Sequence, residues 1–73
     1  GTAPVFTGAT KNANGVQLTF TEPDAPARYI LEGSTNLVNW TKLLARTSAG
    51  VTTNYTDWRA TNYAHCFYRL QVP

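Results

Sequence analysis

Between Val16 and Thr21 apolar and polar side chains alternate strictly: Val16, Leu18 and Phe20 fall on one side, Gln17, Thr19 and Thr21 on the other. A period of two is the mark of a half-buried strand. The pattern returns from Arg28 to Ser34, where Tyr29, Leu31 and Gly33 share one face and Ile30 and Glu32 the other. It returns again from Val51 to Thr56, with Val51, Thr53 and Tyr55 together. In the last strand, His65 to Val72, the inward set is Cys66, Tyr68, Leu70 and Val72, and the outward set is His65, Phe67, Arg69 and Gln71. A further strand from about Trp40 to Arg46 alternates imperfectly, because Trp40 and Leu43 differ in parity; a β-bulge or a change of sheet accounts for such a break. The first nine residues read as a lead-in with a short strand around Val5 and Phe6, placed by Pro4 at a sheet edge or before a strand.

Turn chemistry separates these runs. Asn14-Gly15 predicts a hairpin, since both residues tolerate positive φ. Pro23 and Pro26, two prolines in four residues, end the Val16 strand. Thr35 to Asn39 reads as a turn with a small apolar anchor, Leu37 and Val38. Thr47 to Gly50 is a second turn, and Asp57 to Ala64 a longer loop carrying Trp58 and Tyr63. No segment sustains a period of 3.6 residues. Short strands at this spacing predict an all-β fold, a small antiparallel β-sandwich of five to seven strands. The 73 residues make one domain, 1–73. A start at Gly1 rather than Met suggests a piece excised from a larger multidomain protein.

Charge narrows the field of partners. Six Lys and Arg stand against four Asp and Glu, for a net charge of +2. The basic residues are scattered singly, whereas a nucleic-acid binder of this size clusters them. The polar surface is built instead from Thr, Asn and Ser, with 12 threonines. No run approaches the roughly 18 apolar residues of a membrane span, and no stretch reads as a signal peptide. Cys66 stands alone, so neither an internal disulfide nor a cysteine-pair zinc site exists, and its apolar run reads as a core position.

Catalysis finds little support. The four carboxylates are Glu22, Asp24, Glu32 and Asp57. A glycosidase needs two of them facing each other about 5 to 10 Å apart across a cleft. Glu22 and Asp24 lie in a proline-bounded turn, Glu32 on an outer face, and Asp57 reads as a turn residue capping backbone N–H groups. His65 is the one histidine, with no acid partner evident. A Ca²⁺ site at Glu22, Asp24 or Asp57 lacks the oxygen-rich spacing of a dedicated loop. The chain therefore reads as a non-enzyme with no cofactor and no metal.

The segments GVQLTFTEP, YILEGSTNLVNW, YTD and FYRLQV resemble the B, C–C′, E and F strands of a fibronectin type III-like domain. They are more similar still to a short, immunoglobulin-like version found in large secreted bacterial proteins. The likeness spans residues 16–72. It implies structural roles for Tyr29, Trp40, Tyr55 and Tyr68, and an extracellular setting beside polysaccharide-active catalytic domains. The chain departs from the pattern twice. No G strand follows the FYR strand, which leaves a position open for the N-terminal segment or as an exposed edge. Trp58 stands where a small or proline-type residue is usual.

Aromatic residues then carry the functional expectation. There are nine, and the core of so short a chain takes about five. A pyranose ring has one face of C–H groups that lies flat on an aromatic ring, while neighbouring amides and charges bond its hydroxyls. Trp58, Tyr63 and Trp40, with Asp57, Arg59, Asn62 and Asn39, form the candidate ligand site; Trp58 is either a lid over the core or a ligand contact. A second surface is Ile30, Glu32, Phe67 and Arg69, with cover by a neighbouring domain as its structural alternative. The expected function is a non-catalytic carbohydrate-binding module for a plant-type β-glucan such as cellulose. The alternative is a spacer or protein-interaction domain without a ligand of its own.

Overall fold

A computed structural model describes residues 3–72. Six strands form: β1 (Val5–Asn12), β2 (Gly15–Thr21), β3 (Arg28–Ser34), β4 (Thr41–Thr47), β5 (Thr52–Asp57) and β6 (Phe67–Gln71). One short 3₁₀ helix, η1 (Trp58–Asn62), joins the last two. The strands make two three-stranded antiparallel sheets, ordered β1-β2-β5 and β4-β3-β6. The all-β sandwich expected from the alternation is the fold.

Several details differ from the expectation. The lead-in is an eight-residue strand rather than a short one, and it pairs with β2 from Val5↔Thr21 to Asn12↔Gly15. It therefore does not fill the position beside β6, whose outer edge has no strand partner among the described residues. The hairpin turns one residue earlier than Asn14-Gly15, at Ala13-Asn14, with Gly15 opening β2 at φ +126°. Asn12 Oδ1 accepts from the Asn14 N–H at 2.8 Å and so shapes that turn locally. Leu37 and Val38 anchor nothing: Val38 is 76% exposed. The bulge expected in the fourth strand is present. Leu31 pairs with Leu44 and Glu32 with Lys42, so Leu43 is the extra residue and both leucines reach the core.

The core is small. Leu18, Phe20, Tyr29 and Leu31 are its fully buried large side chains, and Val16, Leu43, Leu44, Tyr55, Tyr68 and Leu70 pack half-buried against them. Phe20 meets Tyr29 edge-to-face with ring centroids 5.8 Å apart, a favoured aromatic geometry. These are the inward residues of β2 and β3 that alternation singled out.

One end of the core is closed by Glu22, which is 2% exposed despite its place beside Pro23. The Tyr29 hydroxyl donates to Glu22 Oε2, and the N–H groups of Ala49 and Val51 donate to Oε1 at 3.0 and 3.3 Å. Arg46 Nε stands 3.3 Å from Oε2. A single carboxylate thus ties the end of β2 to β3, to β4 and to the β4–β5 turn. Its oxygens are committed to these donors, which leaves the cation role considered for it without a vacant ligand position.

The Tyr29 hydrogen bond, with the two backbone N–H groups and Arg46, outweighs burial and holds the Glu22 carboxyl below its ordinary 4.5. Burial and the adjacent carboxylate push the Tyr29 hydroxyl up to about 12. A depressed folded-state pKa gives stability that is full above the unfolded value and is lost as pH falls through the folded one. Chemical denaturation at several pH values tests this. Wild type should exceed Glu22→Gln by on the order of 2 kcal/mol at neutral pH, and the gap should close as pH falls below 4.5.

Candidate functional site

The opposite end of the core is closed by Asp57, the last residue of β5 and the N-cap of η1. It is 4% exposed. Its Oδ1 accepts from the Arg59 N–H at 3.1 Å and faces Arg59 Nε at 3.5 Å, while Oδ2 accepts from the Tyr68 hydroxyl at 2.9 Å. The capping role read from the sequence is what this residue performs, and the bond to Tyr68 adds a tie between the sheets. Burial, then the Asp57 carboxylate, and then Cys66 raise the Tyr68 hydroxyl far above its ordinary value.

Two local features seat η1 here. Ala60 is buried and lets the helix lie on the start of β2. Gly15 lets the backbone close: a Cβ there would sit 2.1 Å from the Asp57 carbonyl oxygen. With Ala60 turned inward, Trp58 and Arg59 point to solvent, and Tyr63 ends the helix with its N–H on the Ala60 carbonyl at 3.3 Å.

The facing wall is the loop after β3. Ser34 Oγ accepts from the N–H groups of Asn36 and Leu37 at 3.1 and 2.9 Å. Asn36 Oδ1 accepts from those of Val38 and Asn39 at 2.9 and 2.8 Å. Four backbone donors are held by two side chains, which is why the loop keeps its shape without an apolar anchor. Leu37 adopts φ +65°, a left-handed conformation that costs a non-glycine residue about 1–2 kcal/mol.

Between this loop and η1 lies a cleft of about 180 Å³. Asn39, Asp57, Arg59 and Tyr63 border it, so four of the seven residues expected at a ligand site converge. Trp58, Trp40 and Asn62 are not among its lining. Trp58 stands alongside on η1, 64% exposed, and is no lid over the core. Trp40 faces away from it: the Arg69 guanidinium lies 4.1 Å above its ring, and Arg69 Nε contacts Glu32 Oε1 at 2.8 Å. That stack belongs to the outer face of the second sheet, where Glu32 and Arg69 are cross-strand partners.

Asn36, an amide expected beside the aromatic residues, lines the cleft as well, and Ser34, Thr35, Thr41 and Cys66 line it without having been expected there. The Ser34–Asn36 pair has a legible signal, a hydroxyl and an amide spaced to cap their own turn. Cys66 is half-buried at the cleft border rather than a core residue. Among the described residues no buried side-chain polar atom lacks a hydrogen-bond partner, and no three His, Cys, Asp or Glu residues group to hold a metal. No helix there is long and apolar enough to cross a membrane.

Comparison with known proteins found no matching family model, no matching curated protein and no matching solved structure.

Gly15→Ala should cost on the order of 2 kcal/mol, because the new methyl group meets backbone that has no flexible end to move. Urea denaturation measures it. A loss below the few tenths typical of a surface change would mean that η1 is not seated against the hairpin as described.

Proposed function

We propose that the chain is a non-catalytic carbohydrate-binding module that holds a plant-type β-glucan at the Asp57 end of the sandwich. The observation that carries this reading is the composition of the cleft. One wall is Tyr63, 49% exposed, and most of the rest is polar: the hydroxyls and amides of Ser34, Thr35, Asn36, Asn39 and Thr41, the Arg59 guanidinium and the Asp57 carboxylate, with Gly33 and the Cys66 thiol completing it. The volume is below that of a drug-sized pocket, which suits one sugar ring with the remainder of the glycan lying along the surface.

The roles divide by physics. Tyr63 offers a flat ring to the C–H face of the sugar, and both surfaces lose water on contact. Trp58 offers a second ring for the neighbouring residue of the glycan. Arg59 and Asn39 bond hydroxyl groups. Asp57 is a positioning residue, since its oxygens already hold the Arg59 backbone and the Tyr68 hydroxyl. Trp40 is left out of the platform because Arg69 covers one face of its ring. Asn62, at the exposed end of η1, is kept as a peripheral contact.

The likeness of the STNLVNW, YTD and FYR segments to domains of secreted bacterial proteins supports an extracellular setting, with an attached polysaccharide-active catalytic domain as the partner. No feature of the cleft supplies a paired acid and base, which favours binding over hydrolysis.

Affinity electrophoresis in gels containing soluble β-glucan, xylan or mannan tests the reading. Wild type should be retarded by β-glucan. Trp58→Ala and Tyr63→Ala should each weaken binding about tenfold while leaving the far-UV circular dichroism spectrum unchanged. Absence of retardation in every gel would favour the spacer or protein-interaction alternative.

A further inference from the structure

Tyr63 borders a second cleft besides the one described above. This cleft, of about 250 Å³, is lined by η1, the start of β2 and the segment that enters β6. Cys66 borders both clefts as well, so the two adjoin. Their chemistry differs. Val16, Ala60 and Phe67 give the second cleft apolar walls, while Lys11 and His65 supply nitrogen donors. Register places Lys11 there: it pairs directly with Val16 across β1 and β2, and direct cross-strand partners share a face. Val16 packs against the core, so the Lys11 side chain leaves β1 on the same side as the core.

Among the described residues the side chains of Lys11 and His65 have no hydrogen-bond or ion-pair partner. No carboxylate borders the second cleft. The one that borders the first, Asp57, is already bonded to Arg59 and Tyr68. Glu22 closes the opposite end of the core, Asp24 follows it in the same turn, and Glu32 is held by Arg69 on the outer face of the second sheet. The unbalanced charge beside Tyr63 is therefore positive. A cation without a partner at an apolar-walled cleft favours an anion, because the pair is less screened there than in bulk water and gains a charge-assisted hydrogen bond. A bare inorganic anion would leave the apolar walls uncovered. A ring with C–H groups and a carboxylate covers the walls and answers the charge.

We propose that the second cleft takes a uronic acid, a sugar whose C6 carbon is a carboxylate. The inference rests on the glycan reading and narrows it: the preferred β-linked glycan carries acidic units next to neutral ones. The neutral ring lies on the first-cleft side of Tyr63 and the acidic ring on the other. Lys11 pairs with the carboxylate, and the His65 ring N–H donates to the same sugar.

The probes are a β-linked glucose tetrasaccharide and the same tetrasaccharide with alternate units oxidised at C6. Each is titrated into the ¹⁵N-labelled chain and followed by NMR. The oxidised probe should bind about threefold more tightly at low ionic strength, and it alone should shift Lys11, His65 and Phe67. Salt at about 0.5 M should remove most of the gain. Lys11→Gln, a change at an exposed site, should bind both probes as wild type binds the neutral one. Lys42→Gln removes the same charge beside Glu32, on the other sheet, and should keep the preference. Equal binding of the two probes by wild type, or loss of the preference in Lys42→Gln as well, overturns this inference and leaves the β-glucan reading standing. Binding of neither probe overturns both. Binding of the oxidised probe alone carries this inference and overturns a neutral glucan as the ligand.

Discussion

Two buried carboxylate–tyrosine pairs hold this sandwich shut, one at each end of its core. Glu22 at the end of β2 takes the Tyr29 hydroxyl from β3, and Asp57 at the end of β5 takes the Tyr68 hydroxyl from β6. Because β2 and β5 run antiparallel, these residues fall at opposite ends of one sheet, and each reaches across to the other. A chain of this size has little apolar surface to spend on such a join. Among the described residues the fully buried large side chains are four, and with a single cysteine there is no internal disulfide to add. Charge-assisted hydrogen bonds in a desolvated setting are stronger than ordinary ones, and they fix geometry as apolar contact alone does not.

The two ends then diverge. At the Glu22 end every oxygen is saturated by backbone N–H groups, Tyr29 and Arg46, and the result is a closed turn. At the Asp57 end the same device seats a short helix, so that Trp58, Arg59 and Tyr63 are presented to solvent on a rigid base. Across from it the loop after β3 is held by Ser34 and Asn36, and Leu37 carries backbone strain within that loop. Strain of this kind persists where the surroundings over-determine it, and it gathers at functional surfaces. The cleft lies between two elements whose shapes are each fixed by side-chain capping.

Much of the architecture was legible in the residues. Alternation in β2 and β3 named Leu18, Phe20, Tyr29 and Leu31 as core, because a strict period of two leaves one reading. The imperfect alternation of the fourth strand left a bulge or a change of sheet open, and the bulge is what lets the adjacent Leu43 and Leu44 both reach the core. Local turn chemistry made Asp57 a cap. What escaped was everything decided by distance along the chain. Glu22 looked like a turn carboxylate because its partners, Ala49 and Val51, lie 27 and 29 residues away. Gly15 looked like half of a turn, when its role is to let the Asp57 carbonyl come close. Trp40 was grouped with Trp58 by residue type, and only the pairing of Glu32 with Arg69 shows it on a different face. The length of β1 was hidden because its side chains are uncovered, so it lacks the apolar alternation that marks a buried strand.

We propose that a ligand binds at the Asp57 end, between η1 and the loop after β3. A ¹⁵N NMR titration with a β-linked glucose oligosaccharide reads every residue in one experiment. Shifts confined to Asn39, Arg59, Tyr63 and the Trp58 indole N–H are expected, with Trp40 unmoved. Shifts centred on Trp40, Glu32 and Arg69, or no shifts at saturating oligosaccharide, would contradict it.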